Sequence, residues 1–257
     1  MMTTVAELTT RHRVVSRDEW IAARKAHLAH EKELTRLRDK LAAERRELPW
    51  VKVEKDYVFT TDRGRETLAD LFEGRSQLIV YHFMWRHDLG TGCNGCSFIA
   101  DHIDGANWHL PHNDVTLIAA SRAPLNLLDG YKKRMGWKFR WVSSDGSDFN
   151  YDYHVSFTRD QLASGKVYYN YEMTGEGFDE LPGASVFYKN GNDEVFHTYS
   201  TYARGGDILI GAHNYLDLTP KGRNETTIMD WMRRHDEYED AGKAPACCGS
   251  AQRPDAA

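Results

Sequence analysis

Apolar and polar positions along the chain change their rhythm three times. Between Ser16 and Pro49 there is neither Gly nor Pro, and Leu34, Leu37, Leu41 and Leu48 recur at helical spacing among Glu, Lys and Arg. Ser16-x-x-Glu19 is a capping-box signature. The pattern predicts one long helix, charged outside and laid across a core or a partner. A packing or dimer helix without chemistry is the plain account of it.

From Val51 the rhythm shortens. Tyr57-Val58-Phe59 predicts a strand, Asp62-Arg63-Gly64 a turn, and Leu68, Leu71 and Phe72 a short helix face. Residues 76–85 are nearly continuously apolar, as a strand buried on both faces requires. Ser97 to Trp108 suits a helix with Phe98, Ile99 and Ile103 inward, and Val115 to Ala120 a second buried strand. Ser121 and Pro124 start another helix, Gly136 closes it, and Lys138 to Ser143 alternates as a strand.

Residues 144–182 have no clean period. They read as an aromatic-rich insertion carrying a short strand around Val167–Tyr171. Order returns in Ala184 to Tyr188 and Glu194 to Thr201, joined by Lys189-Asn190-Gly191-Asn192, a strong hairpin signal. A Gly-rich loop then leads to a predicted final helix from Thr226 to Glu239. No internal repeat is present. The expected organisation is a helical extension (1–50), one α/β domain (51–241) and a flexible, small and polar tail (242–257).

Composition narrows the function classes. Lys and Arg total 33 against 38 Asp and Glu, a formal charge of −5, which gives no electrostatic case for nucleic acid. Hydrophobic content of 41% and charged content of 28% fit a globular protein able to bury a core without disulfide staples. No stretch approaches the roughly 20 apolar residues that span a bilayer. The first residues lack an apolar signal core, so the cytoplasm is the expected location.

Four cysteines form two local pairs, Cys93/Cys96 and Cys247/Cys248, too few and too clustered for a secreted disulfide framework. Cys93-Asn94-Gly95-Cys96 lies between a buried strand and a helix. Two thiols so spaced at a helix start can close a disulfide while the first stays exposed. The helix N-terminus stabilises that first thiolate. Cys93 is therefore the expected attacking thiol and Cys96 the resolving one. Strand, Cys-x-x-Cys, helix, strand, helix, strand, Pro, hairpin is the thioredoxin order of elements. Pro182, just before Ala184–Tyr188, sits where thioredoxin folds place a cis-proline facing the disulfide.

The stretches "LADLFEGRSQLIVYHFMW", "GCNGCSF", "FHTYSTYARGGD" and "LDLTPKGRNE" make the chain resemble the bacterial thioredoxin-like family filed as domain of unknown function 899. The resemblance spans residues 68 to 224, and its hairpin from His197 to Gly205 is more specific than the cysteines alone. It implies a thioredoxin-like three-layer sandwich with the long N-terminal helix and a presumed redox function. It supplies no settled substrate. The Asn94-Gly95 dipeptide lacks the proline common in thioredoxin-like motifs, which leaves the reduction potential open.

Rival chemistries use the same thiols. Inert core cysteines are one, half of a structural zinc site another. The main competitor is a copper or zinc site in which Cys93 and Cys96 join His82, His87 or His102. Arg86 and His87 either supply positive charge near Cys93 or sit on a solvated loop. His197 and Tyr199 are expected on one strand face, opposite Phe196 and Thr198. Cys247 and Cys248 resemble the shuttle tails of flavin-dependent mercuric reductases, although no flavin-binding G-x-G-x-x-G is present; an incidental pair is the alternative. The redox reading needs no cofactor and takes a protein or small-molecule disulfide. It involves no membrane or nucleic acid, and the N-terminal helix offers a route to a homodimer.

Overall fold

The computed structural model describes residues 12–175 and 177–239. Helix α1 (Arg17–Arg46) runs 30 residues and starts as the capping box requires. The Ser16 hydroxyl accepts from the Glu19 N–H at 3.3 Å, and the Glu19 carboxylate accepts from the Ser16 N–H at 3.0 Å. None of its residues is buried. Its last turn meets the domain where the Arg45 guanidinium lies 4.6 Å over the Tyr199 ring.

Among the described residues twelve strands follow. They are β1 (Val51–Lys52), β2 (Val58–Thr61), β3 (Gly64–Thr67), β4 (Gln77–His82), β5 (Trp85–Arg86) and β6 (Thr91–Gly92). After them come β7 (Val115–Ser121), β8 (Trp141–Ser143), β9 (Val167–Tyr169), β10 (Glu172–Thr174), β11 (Gly183–Lys189) and β12 (Val195–Tyr202). Eight build one mixed sheet in the order β1-β12-β11-β4-β7-β8-β2-β3. β4, β7 and β8 run parallel, while β11 lies antiparallel to β4 and β12. β4 is therefore interior, which explains its unbroken apolar run.

Alternation along β4 sends Leu78 and Val80 to one face and Tyr81 to the other. On the first face they pack with Phe59, Leu71, Phe72, Phe149 and Phe187, beneath the helical turn Asp70–Phe72. On the second, Tyr81 packs with Phe83, Cys96, Leu128, Trp137 and Trp141. That face is covered by α2 (Asn94–Ala100), α3 (Ile103–Ala106) and α4 (Leu125–Met135). The insertion adds α5 (Phe149–Asp152), α6 (Arg159–Ala163) and the β9–β10 hairpin, with Val155, Phe157, Val167 and Tyr169 packed on Tyr202. Last comes α7 (Gly211–Leu216). The result is the expected thioredoxin-like sandwich.

Several expectations need correction. The helix read from Ser97 begins earlier, at Asn94, and breaks after Ala100. The strand read over 138–143 is confined to its last three residues, because the Asp104 carboxylate captures the Lys138 and Phe139 N–H groups at 2.8 and 2.7 Å. Residues 226–239 form no α-helix. One Asp230 oxygen holds the Thr226 and Thr227 N–H groups at 3.0 Å each, and Met229 adopts a φ of 60°, which a helix cannot accommodate. Only the turn His235–Glu237 is helical there. His197 and Tyr199 do not share a face either. Val186 pairs with Tyr199 but Phe187 pairs with His197, so Thr198 is the extra residue of a β-bulge.

Candidate functional site

The loop after β4 delivers the cysteines. The Cys93 N–H donates to the Met84 carbonyl at 3.2 Å, and the Met84 N–H points at the Cys96 sulfur at 3.3 Å. Backbone at one residue thus brackets the motif from below. Cys93 is the N-cap of α2, with extended φ and ψ of −64° and 140°. Its carbonyl accepts from the Ser97 N–H at 2.9 Å and from the Ser97 hydroxyl at 2.8 Å. Both cysteines are free thiols; Cys96 is 1% exposed and Cys93 half-buried.

The two thiols titrate in opposite directions. Cys93 is lowered to about 6, first by the hydrogen bond from Cys96 and then by the Cys96 and Gly95 N–H groups at the helix start. The Arg86 charge adds to this, and burial works against it. Burial foremost, then the neighbouring Cys93, pushes Cys96 well above the ordinary thiol range. One sulfur is prepared as a thiolate and its neighbour is kept as a thiol.

Arg86 makes two contacts to Asp88, at 2.8 and 2.6 Å, and lies 5.0 Å over the Phe178 ring. His87 bonds instead to Glu180, a carboxylate only 1% exposed, at 3.0 Å. Glu180 also accepts from the Trp85 N–H and the Arg122 guanidinium, each at 2.9 Å. His87 is raised above its usual value chiefly by that hydrogen bond.

The other histidines belong elsewhere. His82 faces away from the thiols, against Phe149 and Tyr153, with its Nε2 at 2.7 Å from the Ser185 hydroxyl. Burial lowers it to about 3. His102 donates from Nδ1 to the Phe98 carbonyl at 2.8 Å and accepts the Ala212 N–H at Nε2 at 3.1 Å, so both ring nitrogens are spent on backbone. Among the described residues no group of three or more His, Cys, Asp or Glu is placed to hold a metal. The proposed ligand set of Cys93, Cys96, His82, His87 and His102 is thus not assembled.

Pro182 borders a small cavity together with Tyr81 and Ile99, on the dithiol side. Its peptide is not cis, since every peptide bond of the described residues is trans. The chain before it is already pinned extended, with Glu180 bridged to Ser156 and the Leu181 N–H bonded to Val155 at 2.9 Å. His197 contacts the Ser200 hydroxyl at 2.7 Å, and Ser200 continues through Ser185 to His82, away from the dithiol. Cys247 and Cys248 lie outside the described residues.

Sequence reasoning missed the frame around the motif. The Ser97 hydroxyl meets the Tyr131 hydroxyl at 2.9 Å, and Arg234 binds that same hydroxyl at 2.7 Å and the Gly92 carbonyl at 2.8 Å. A Cβ on Gly92 would lie 2.8 Å from the Tyr131 ring and 3.0 Å from Phe83. A Cβ on Gly95 would lie 3.9 Å from the Cys93 sulfur, 3.6 Å from Met229 Sδ and 3.9 Å from Met232 Cε. The segment after Thr226 therefore lies over the motif. No local signal could reveal this, because Arg234 and Gly92 stand 142 residues apart.

A reduced dithiol at the N-terminus of the helix after a central parallel strand defines a thioredoxin-like protein. The family described as bacterial protein of unknown function, DUF899, matches residues 9–238, and the chain belongs to it. No curated protein matches it. Among solved structures it is similar to peroxidoxin BcpB from Mycobacterium tuberculosis, at 10% identity over 63% of this chain and 94% of that one, TM-score 0.43. It is also similar to peroxiredoxin Q from Xanthomonas campestris, at 13% identity over 60% and 87%, TM-score 0.41. A third is a putative thiol:disulfide interchange protein DsbE from Chlorobium tepidum, at 11% over 63% and 93%, TM-score 0.38. Likenesses this distant say nothing of what the chain acts on.

Proposed function

We propose that the chain is a dithiol–disulfide oxidoreductase in which Cys93 attacks and Cys96 resolves. The asymmetry of the thiols carries this reading: Cys93 is half-buried at a helix N-cap and lowered to about 6, while Cys96 is buried and raised. The Cys93 thiolate attacks one sulfur of a substrate disulfide, breaking the S–S bond and releasing one half as thiolate. Cys96 then gives up its proton and attacks the Cys93 sulfur. The second half leaves with that proton, an intrachain disulfide remains, and two electrons have passed to the substrate. A protein or small-molecule disulfide in the cytoplasm suits this direction, with no cofactor. Among the described residues the histidine-ligated metal alternative has no arrangement in its favour.

Alkylation of the reduced protein across pH tests the assignment. Cys93 should react with a midpoint near 6 while Cys96 stays protected. Cys93→Ser should abolish reduction of a disulfide reporter, and Cys96→Ser should accumulate mixed disulfide. Equal rates at both cysteines, matching an ordinary thiol, would sink it.

A further inference from the structure

One buried polar atom beside the dithiol is not used in that scheme. Tyr81 is 3% exposed in β4, and its hydroxyl is sealed from solvent without a well-formed hydrogen bond among the described residues. Tyr81 and Cys96 belong to one apolar cluster, with Cys93 packed against it. The neighbouring His82 goes to the other face, so of the two polar side chains ending β4 only Tyr81 looks toward the cysteines. The ionisable groups acting on its hydroxyl are Cys96 first, then Cys93, then Tyr169.

Resolution makes a demand that the reduced state does not. Cys96 must become a thiolate inside an apolar cluster, where burial opposes the charge. While a mixed disulfide occupies Cys93, that residue can no longer accept a hydrogen bond as thiolate. Two donors then lie beside Cys96: the Met84 N–H, 3.3 Å from its sulfur, and the Tyr81 O–H, in the same packed cluster and, among the described residues, uncommitted to any other partner. We infer that the Tyr81 hydroxyl is a catalytic hydrogen-bond donor to the Cys96 thiolate in the resolving step. Tyr81 keeps its proton throughout. The proton lost by Cys96 passes to the departing thiolate or, where that thiolate is weakly basic, to water; the Cys93–Cys96 bond forms, and the bond from Cys93 to the substrate sulfur breaks. This inference rests on the dithiol reading and names the group that makes its second half fast.

The test is a single turnover with an aromatic disulfide that releases a coloured thiolate, dithiobis-nitrobenzoate. It uses the full chain with Cys247→Ser and Cys248→Ser, so only the motif reacts. Attack by Cys93 releases the first coloured thiolate, and resolution by Cys96 releases the second. The titratable groups around the pair are Tyr81 from β4, Arg86 from β5, and Tyr131 of α4 with Arg234, joined through Ser97. Tyr81→Phe keeps the ring and the packing and removes one oxygen. The expected result is a first release within about twofold of the parent. The second should slow by roughly tenfold or more, its pH profile displaced upward, as loss of a hydrogen bond to a charged group requires. A second release as fast as the parent with the same profile overturns the inference, and so does equal slowing of both phases, the mark of a packing defect. Failure of the dithiol reading shows separately, as a first release in the parent no faster than a free thiol below neutral pH.

Discussion

At the scale of single residues, the lowered Cys93 ties redox chemistry to stability. Its folded-state value of about 6 lies below the ordinary 9.0, so the stabilisation is complete above about pH 9, shrinks as pH falls toward 6, and is absent below. The melting temperature of the reduced protein minus that of Cys93→Ser should therefore grow between pH 6 and 8. A flat difference would mean that Cys93 is not held as a thiolate. Gly92 makes a second prediction. Alanine there drives its methyl into the Tyr131 ring and Phe83, so Gly92→Ala should cost about 1–3 kcal/mol in denaturant unfolding. The place of the cysteines at a helix start was legible in sequence, because the strand-to-helix position is local. Tyr81, Glu180 and Arg234 were not, since each acquires its meaning from a partner that only the folded sheet supplies.

At the scale of elements, what was legible had a period or a cap. α1, β4, β7 and α4 each announced themselves, and Gly136 closes α4 with a φ of 68° as a left-handed C-cap. The failures came where side chains took over backbone groups: Asp104 shortened β8 and Asp230 unwound residues 226–239. That last segment is held by Arg234, and by Arg134 with Asp236 at 2.6 Å. Arg234→Ala should free it, giving faster proteolytic cleavage between Thr226 and Tyr238 with the sheet intact. Unchanged cleavage would show that Met229 and Met232 alone hold it down.

At the scale of the whole molecule, α1 and the domain are weakly joined. A helix with no buried residue adds little apolar burial, so deletion of residues 1–46 should leave the Cys93 alkylation rate unchanged and the melting temperature within a few degrees. A collapse of either would show that α1 is part of the domain. If copies associate through the exposed Leu34, Leu37 and Leu41, the same deletion lowers the mass seen by light scattering.

Thr198 has a consequence of a different kind. On a regular strand His197 and Ser200 would point to opposite sides, yet they bond at 2.7 Å because one surplus residue resets the alternation between them. The strand is thus written in two reading frames, with Thr198 as the shift between them. Pairing that residue in register instead would rotate Val195 to His197 through the sheet and part His197 from Ser200 without altering either. Removing it would leave the two on one side, two residues apart on a regular strand. A lineage that lost Thr198 could keep both halves of β12 letter for letter, since only the surplus residue would go.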